Sequence, residues 1–259
     1  MVFDLALWQM IAAYLFVLIL LILVRFRGIP REKEILLASF RMTLQLILMG
    51  YILTKIFHTK TALFTILVIL LMEIFAIYTI FGRVKSDIQP KLKRVIALSI
   101  AMGTLLVFLY FVFIVLRPEP WFDPRYTIPI AGMLIGNSMT GISIGIHRLI
   151  HGFSQQKDQI LGALMMGATP KMATDSIVKE AFDAAIMPTI NSMMGMGIIY
   201  LPGMMTGQIL SGISPFIAVK YQIAIMLGIT GATTLTVYLA LHLGYKTFFN
   251  ERLQFLEEK

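Results

Sequence analysis

Five polar side chains inside long apolar stretches are the first candidates for chemistry in this 259-residue chain. Arg41 and Gln45 are four residues apart and share one helical face, while Glu73, Asn137 and Asn191 lie in later stretches. Charged and amide side chains are costly in hydrocarbon, and those that persist there mark pathways or gates. We therefore interpret these five residues as candidates for a transport pathway or gate.

Arg41 and Glu73 are predicted to lie at similar depth in neighbouring helices. With a rise of about 1.5 Å per residue, Arg41 is roughly 9 Å, and Glu73 roughly 12 Å, from the cytoplasmic end of its stretch. The two can therefore pair. Alternatively, Arg41 extends towards the interface, or the pair is a structural clasp. For Asn137 and Asn191 the alternative is structural hydrogen bonding inside a helical bundle.

No motif indicates an enzyme or a resident cofactor. Walker A, His-Glu-x-x-His and Gly-x-Ser-x-Gly sequences are absent, and so is cysteine. The four histidines, His58, His147, His151 and His242, are too scattered to predict a zinc cage. Most of the 18 methionines lie between Met133 and Met205. Soft thioethers can bind Cu(I), but they also fill irregular apolar surfaces that repack during transport, so the metal stays unknown.

Composition and hydropathy predict an all-α membrane protein. The chain is 58% hydrophobic and 14% charged, with a mean hydropathy of +0.83. Helices satisfy their own backbone hydrogen bonds in lipid and need about 20 residues to cross it. We expect a single permease domain over residues 1–259, a bundle of about seven transmembrane helices. The expected spans are Leu5–Val24, Ile35–Phe57, Ala62–Phe81, Val95–Leu116, Thr127–His147, Ala184–Leu201 and Ala218–Tyr245.

Positive charge collects on alternate connections between these spans. The net charge is +8, and most of the 22 lysines and arginines follow the first, third, fifth and last spans. The positive-inside rule then predicts an outside N-terminus and a cytoplasmic C-terminus. This distribution is typical of a multi-pass protein of the cell (inner) membrane, and it argues against a nucleic-acid partner.

The long cytoplasmic connection, about residues 148–183, predicts a hairpin of two short helices. Its turn is Gly167-Ala168-Thr169-Pro170, in which glycine ends one helix, threonine caps the next and proline occupies its first position. The second helix is amphipathic, with charge pairs four residues apart, and we expect it to be too short and too charged to span. It either rests on the bilayer as a surface hairpin or docks onto a cytoplasmic partner.

The segment between the last two spans, about residues 202–215, carries no charge and is rich in glycine and methionine. It is long enough for a re-entrant or interfacial turn, and non-helical backbone at that depth must be buried or line a cavity. The alternatives are an outer gate and an outer loop without a mechanistic role. The candidate gate residues are Leu201, Pro202, Gly203, Met204, Met205 and Gly207.

Small residues in the fifth span predict close helix packing. Gly132 with Gly136, and Gly141 with Gly145, both match Gly-x-x-x-Gly. Such pairs let helix backbones approach closely in lipid, so we expect tight packing, including contacts across a dimer.

Several blocks together resemble the FetB family of ABC-transporter permeases, described as iron-export permeases, to which the plant aluminium-tolerance half-transporter subunits are related. Glu73 belongs to no matching block. The blocks run from the second span to the seventh: Arg41 with Gln45-Leu46 and Gly50, Ile128 to Met133, Gly136 to Met139, Gly167 to Pro170, Pro188-Thr189, Leu201 to Met205 with Gly207, and Lys220 to Gln222.

This resemblance implies a transport subunit that works with a separate ATPase. It implies export, with iron as the substrate. We further expect a homodimer and coupling to the ATPase through Gly167, Ala168, Thr169, Pro170 and Lys171. ATP would be used by the partner, with no cofactor bound by this chain. The main alternative is an ion-coupled secondary transporter that uses Glu73. A seven-helix sensor lacks an interior lysine in its last span, and a membrane enzyme lacks a catalytic pattern.

Overall fold

A computed structural model describes residues 6–59, 61–84 and 89–256. These residues form α-helices joined by short turns, and no named strand occurs among them, which confirms the all-α prediction. The helices are α1 Leu7–Ala13, α2 Leu15–Phe26, α3 Glu32–Thr59, α4 Ala62–Arg83, α5 Pro90–Tyr110, α6 Pro124–Gln155, α7 Lys157–Met165, α8 Pro170–Gly195, α9 Gly203–Leu210 and α10 Pro215–Gly244. A π-helical turn, Phe111–Leu116, extends α5, and a 3-10 turn, Tyr245–Phe248, follows α10.

Six of the expected spans coincide with helical segments long and apolar enough to cross a membrane. These segments are Leu7–Phe26, Glu32–Ile56, Ala62–Arg83, Pro90–Leu116, Pro124–Gln155 and Pro215–Phe248. The first is broken at Tyr14 into α1 and α2, and Leu5 lies outside the described residues. The fifth continues eight residues beyond its expected end at His147.

The expected separation between a short cytoplasmic helix and a span at Ala184–Leu201 is wrong. The structure joins the two in α8, one helix of 26 residues that ends at Gly195. The expected boundary was placed where charged residues give way to apolar ones. Such a change along the sequence does not interrupt the backbone hydrogen bonds of a helix, so α8 continues through it. The charged first half also keeps α8 out of the six apolar segments. The count of seven spans and the orientation of the termini stay predictions.

The chain divides into two compact units. The smaller comprises Met1–Lys60 with Leu210–Gly212, and the larger comprises Thr61–Ile209 with Ile213–Lys259. In the smaller unit α2 and α3 form a hairpin, and the Tyr14 hydroxyl is hydrogen-bonded to the Thr43 hydroxyl. Gly28, at φ +65°, closes α2, since Ile29 N–H donates to the Val24 carbonyl at 3.1 Å. Left-handed glycine is the usual end of a helix.

The larger unit is built around α5, α6 and α10, with α4 and α8 outside them. Its buried side chains are mostly isoleucine, leucine and alanine, including Ile96, Ile146 and Leu149. Small residues bring the central helices close together. A Cβ added at Gly103 of α5 would lie 2.9 Å from Cα of Thr236 in α10, closer than carbon atoms normally approach.

The second Gly-x-x-x-Gly pair packs α6 against α8 within this chain. A Cβ added at Gly145 would lie 3.2 Å from Cβ of Ala185, and one at Gly141 would lie 3.5 Å from the Ala185 carbonyl. Ala181 and Ala185 thus provide small residues on the facing helix. Tight packing is confirmed at this pair. In the first pair, a Cβ added at Gly132 would lie 2.8 Å from Cε of Met72 in α4, whereas Gly136 has nothing within 4 Å. Packing across a dimer stays a prediction.

Candidate functional site

The turn at Gly167 to Pro170 has the backbone geometry predicted from its residues. Gly167 lies at φ +90°, and its N–H donates to the Leu164 carbonyl at 3.0 Å, which ends α7. The Thr169 hydroxyl accepts a hydrogen bond from Met172 N–H at 3.3 Å, and Pro170 is the first residue of α8. Because these bonds are local, residue type alone was sufficient to predict them.

The turn is exposed and the helices behind it are anchored. Met165 and Met166 are 86% and 85% exposed, and Lys171 is exposed beside them. Ile160 of α7 and Ile177 of α8 are buried in the core of the larger unit. The hairpin is therefore held by its buried side chains, and its exposed turn presents Met165 and Met166 next to the positive charge of Lys171. One predicted charge pair is present, since Lys179 Nζ lies 2.6 Å from Asp175 Oδ2.

Asn137 and Asn191 lie on the surface of the larger unit, on α6 and α8. Neither amide is buried within this chain, and the alternative of structural hydrogen bonding stays open. Asn137 donates from Nδ2 to the Met133 carbonyl of its own helix at 2.8 Å. Its sequence neighbour Ser138 is fully buried, because the two point to different sides of α6.

The register of α6 against α8 places the two amides at the same level. These helices are antiparallel, since Gly152 is close to Ile177 near one end and Gly141 is close to Ala185 further along. Continuing that register brings Asn137 level with the turn of α8 that contains Asn191. This arrangement follows from packing, and neither stretch of sequence indicates it.

Glu73 is half-buried on α4 and has a polar neighbour that sequence reasoning missed. The Thr104 hydroxyl of α5 lies 3.1 Å from Glu73 Oε1 and 2.7 Å from the Ile100 carbonyl, so its single proton is donated to one of them at a time. Both side chains border a cavity of about 120 Å³. The other residues lining it are apolar: Ile69, Leu70, Ala101, Leu105, Phe108, Ala131, Leu134 and Ile135.

This pair offers one carboxyl and one hydroxyl, which is a small donor set for a metal. No group of three or more His, Cys, Asp or Glu side chains that could hold a metal ion occurs among the described residues. The His58 side chain lies outside them. The sequence offered one signal for this contact, since Thr104 is a polar residue at the depth expected for the Glu73 carboxyl. The packing of α4 against α5, which brings the two together, is visible only in the structure.

Arg41 and Gln45 lie on α3 in the smaller unit, and both side chains are exposed. Their four-residue spacing places them on one helical face, as predicted. The pairing of Arg41 with Glu73 stays a prediction.

The candidate gate residues follow a tight turn and lead into the short helix α9. After α8 ends, Gly197 at φ +88° donates its N–H to the Tyr200 carbonyl at 2.9 Å, and the Tyr200 hydroxyl donates to the Ser192 carbonyl at 3.1 Å. Thr206 N–H donates to the Pro202 carbonyl at 2.9 Å, which begins α9. At eight residues, or about 12 Å, α9 is too short to cross a bilayer.

Two methionines attach α9 to the larger unit. Met205 is buried, and Met204 packs on a cluster that contains Phe111, Leu134 and Ile225. Leu201, Gly203 and Gly207 are exposed, and Pro202 is partly exposed. Whether this segment is re-entrant stays a prediction.

Six membrane-length apolar helical segments, amide side chains on the bundle surface and a capped hairpin at one end define a multi-pass helical membrane protein. Residues 7–249 match the model described as "Uncharacterised protein family (UPF0014)". The chain therefore belongs to the UPF0014 family. No solved structure matches it.

Relatives cover most of the chain. "Probable iron export permease protein FetB" of Escherichia coli (strain K12) is 34% identical over 223 residues, which is 86% of this chain and 84% of the relative. "Protein ALUMINUM SENSITIVE 3" of Arabidopsis thaliana is 36% identical over 243 residues, covering 94% and 87%. "UPF0014 membrane protein STAR2" of Oryza sativa subsp. japonica is 37% identical over 223 residues, covering 86% and 76%. The resemblance inferred from the sequence blocks is thereby confirmed.

Proposed function

We propose that this chain is the membrane-spanning permease subunit of an ATP-binding-cassette exporter, driven by a separate ATPase subunit, with iron as its cargo. The name of the Escherichia coli relative supports permease activity and iron. The observation that carries the coupling mechanism is the continuity of α8 from Pro170 to Gly195.

A continuous helix transmits displacement along its axis. From Pro170 to Asn191 the rise is about 32 Å, so one continuous helix links the exposed hairpin tip to the level of the two amides. Pro188 lies inside this helix and removes one backbone hydrogen bond, so a bend is confined to the last turns before Asn191. A partner that pushes the tip therefore moves Asn191 without an intervening hinge loop. Small residues face each other where Gly145 of α6 meets Ala185 of α8, whereas Ile177 of α8 packs against Gly152 nearer the tip. Displacement of α8 therefore has to repack the Ile177 contact.

The surface amides support a homodimer with a polar pathway between the copies. Burying an amide in hydrocarbon without a partner costs about 2–7 kcal/mol. Asn191 makes no side-chain hydrogen bond to a residue within the described ranges, and Gly136 and Thr140 extend the polar, small surface of α6. A second copy, with water between the facing surfaces, removes this cost. Export then alternates access to the space lined by Asn137 and Asn191, and Pro202–Gly212 controls the outer end.

Single-cysteine cross-linking tests the coupling contact directly, because the chain has no native cysteine. Lys171→Cys is expected to cross-link to the co-purified ATPase. Lys220→Cys is the matched control, since Lys220 is also exposed and is predicted to lie on the outer side. Equal cross-linking at both positions, or none at Lys171, contradicts the proposed docking.

Transport assays distinguish the proposed ATP-driven exporter from an ion-coupled secondary transporter. Proteoliposomes that contain the chain and its ATPase, with the ATPase on the outside, are expected to accumulate Fe²⁺ when ATP is added. The purified chain alone is expected to be inactive. The isolated Glu73 carboxyl in its apolar cavity favours the second candidate, an ion-coupled secondary transporter. Uptake by the chain alone under a proton gradient would establish that candidate instead.

A further inference from the structure

A basic cleft opens between the end of α4 and the side of α6. It lies on the same face of α6 as Asn137 and Thr140 but further along the helix, beginning at Ser143. It is an open groove with a volume of about 450 Å³, and it runs for roughly 12 Å along α6, from Ser143 to His151. The imidazole rings of His147 and His151 stack with their centres 6.3 Å apart. The cleft is lined by Arg83, Ser143, Ile144, His147, Arg148 and His151.

The charges in this cleft are suited to an anion. Arg83 and Arg148 form no ion pair with any residue in the described part of the chain, and none of the lining residues is acidic. The end of α4 contributes about −0.5 charge from its free carbonyls, against two full positive charges from the arginines. Two guanidinium groups and two imidazoles supply several N–H donors, which can form hydrogen bonds to the acceptor oxygens of a phosphate group. The Ser143 hydroxyl donates to the Met139 carbonyl at 2.7 Å.

The position of the cleft favours a lipid as the source of that phosphate. Ser143 and Ile144 lie in the expected fifth span, whereas His151 lies beyond it on the extension of α6. The cleft therefore crosses from the apolar region into the basic side of the membrane, where headgroups lie. Basic pockets between helices on that side bind anionic headgroups. We propose that Arg83, His147, Arg148 and His151 hold the phosphate of one anionic phospholipid. This inference is independent of the transported cargo.

Native mass spectrometry of the purified full chain tests the site. Phosphatidylglycerol is expected to be retained in preference to phosphatidylcholine at equal supply. Arg83→Gln with Arg148→Gln is expected to weaken that retention about 25-fold, from about 5-fold for each arginine. Arg94→Gln is the matched control, because Arg94 is exposed and predicted to lie on the same side but does not line the cleft. It is expected to leave retention unchanged.

Three results overturn the proposal. One is equal retention of the two lipids by the wild-type chain, a measurement that needs no variant to fold. The second is an equal loss in Arg94→Gln, which would indicate general surface charge. The third is stabilisation of the wild-type chain against unfolding by inorganic phosphate in phosphatidylcholine discs, without any preference for phosphatidylglycerol. That result would assign the cleft to a soluble phosphate compound. If the double variant does not fold, Arg83→Lys and Arg148→Lys are expected to retain the lipid preference, and loss of it in both counts against a charge-selective site.

Discussion

The close approach of α5 and α10 can be tested at Gly103. A Cβ at this position would lie 2.9 Å from Cα of Thr236, a backbone atom that no side-chain rotation can move. Carbon atoms pack at about 3.5–4.0 Å, so Gly103→Ala forces the two helices apart locally by roughly 0.6–1.1 Å. Overpacking of this kind costs about 1–3 kcal/mol.

Gly136 is the matched control for this substitution. It lies within α6, and nothing is within 4 Å of its added Cβ. Both substitutions gain about 0.5–1 kcal/mol of helix stability from removing glycine. That gain cancels when the two variants are compared, so the difference in stability between them isolates the overpacking cost at Gly103. Gly103→Ala is expected to be less stable than Gly136→Ala by about 1–3 kcal/mol.

The assay is reversible unfolding of the purified chain in mixed micelles, followed by circular dichroism. The free energies of unfolding of both variants are measured against the wild type at the same detergent concentration. A Gly103→Ala chain as stable as the Gly136→Ala chain would refute the reasoning, because it would show that α5 and α10 are not held at this distance.

Three further predictions concern transport. Thr169→Ala removes the cap of α8 and is expected to destabilise the hairpin by about 1 kcal/mol and to lower Fe²⁺ uptake per ATP hydrolysed in proteoliposomes. Glu73→Gln keeps an acceptor for the Thr104 hydroxyl, so unfolding should show a loss of about 1 kcal/mol or less and ATP-driven uptake should persist. Asn191→Leu is expected to change the free energy of unfolding by about 0.5 kcal/mol or less, because the side chain is exposed, and to reduce uptake about tenfold.

Each of these has its own control. Thr169→Ser retains the capping oxygen and should behave as wild type, and normal coupling in Thr169→Ala would contradict a role for this turn. Abolished uptake in Glu73→Gln, with folding intact, would favour the ion-coupled candidate. Ile190→Leu changes an adjacent exposed residue without touching the amide, so an equal fall in uptake there would remove Asn191 from the pathway.

Features that depend on local backbone chemistry were predictable. The hairpin turn at Gly167 to Pro170 follows from which residues tolerate a left-handed conformation, cap a helix end or lack an N–H. Six apolar spans follow from the thickness of hydrocarbon and the need to bond every backbone amide. The continuity of α8 was missed because its charge pattern was interpreted as a helix boundary.

The sequence by itself determined that this is a helical membrane protein, where most of its helices lie and how the turn at Gly167 to Pro170 is closed. These features depend on hydropathy and on residues within a few positions of one another. Only the tertiary structure decided which glycines of α6 pack against another helix, that Thr104 faces Glu73 and that Asn137 and Asn191 share a level on the surface. These outcomes depend on the rotation and register of one helix against another. Contacts between residues distant in the chain set that rotation and register, and no local pattern encodes them.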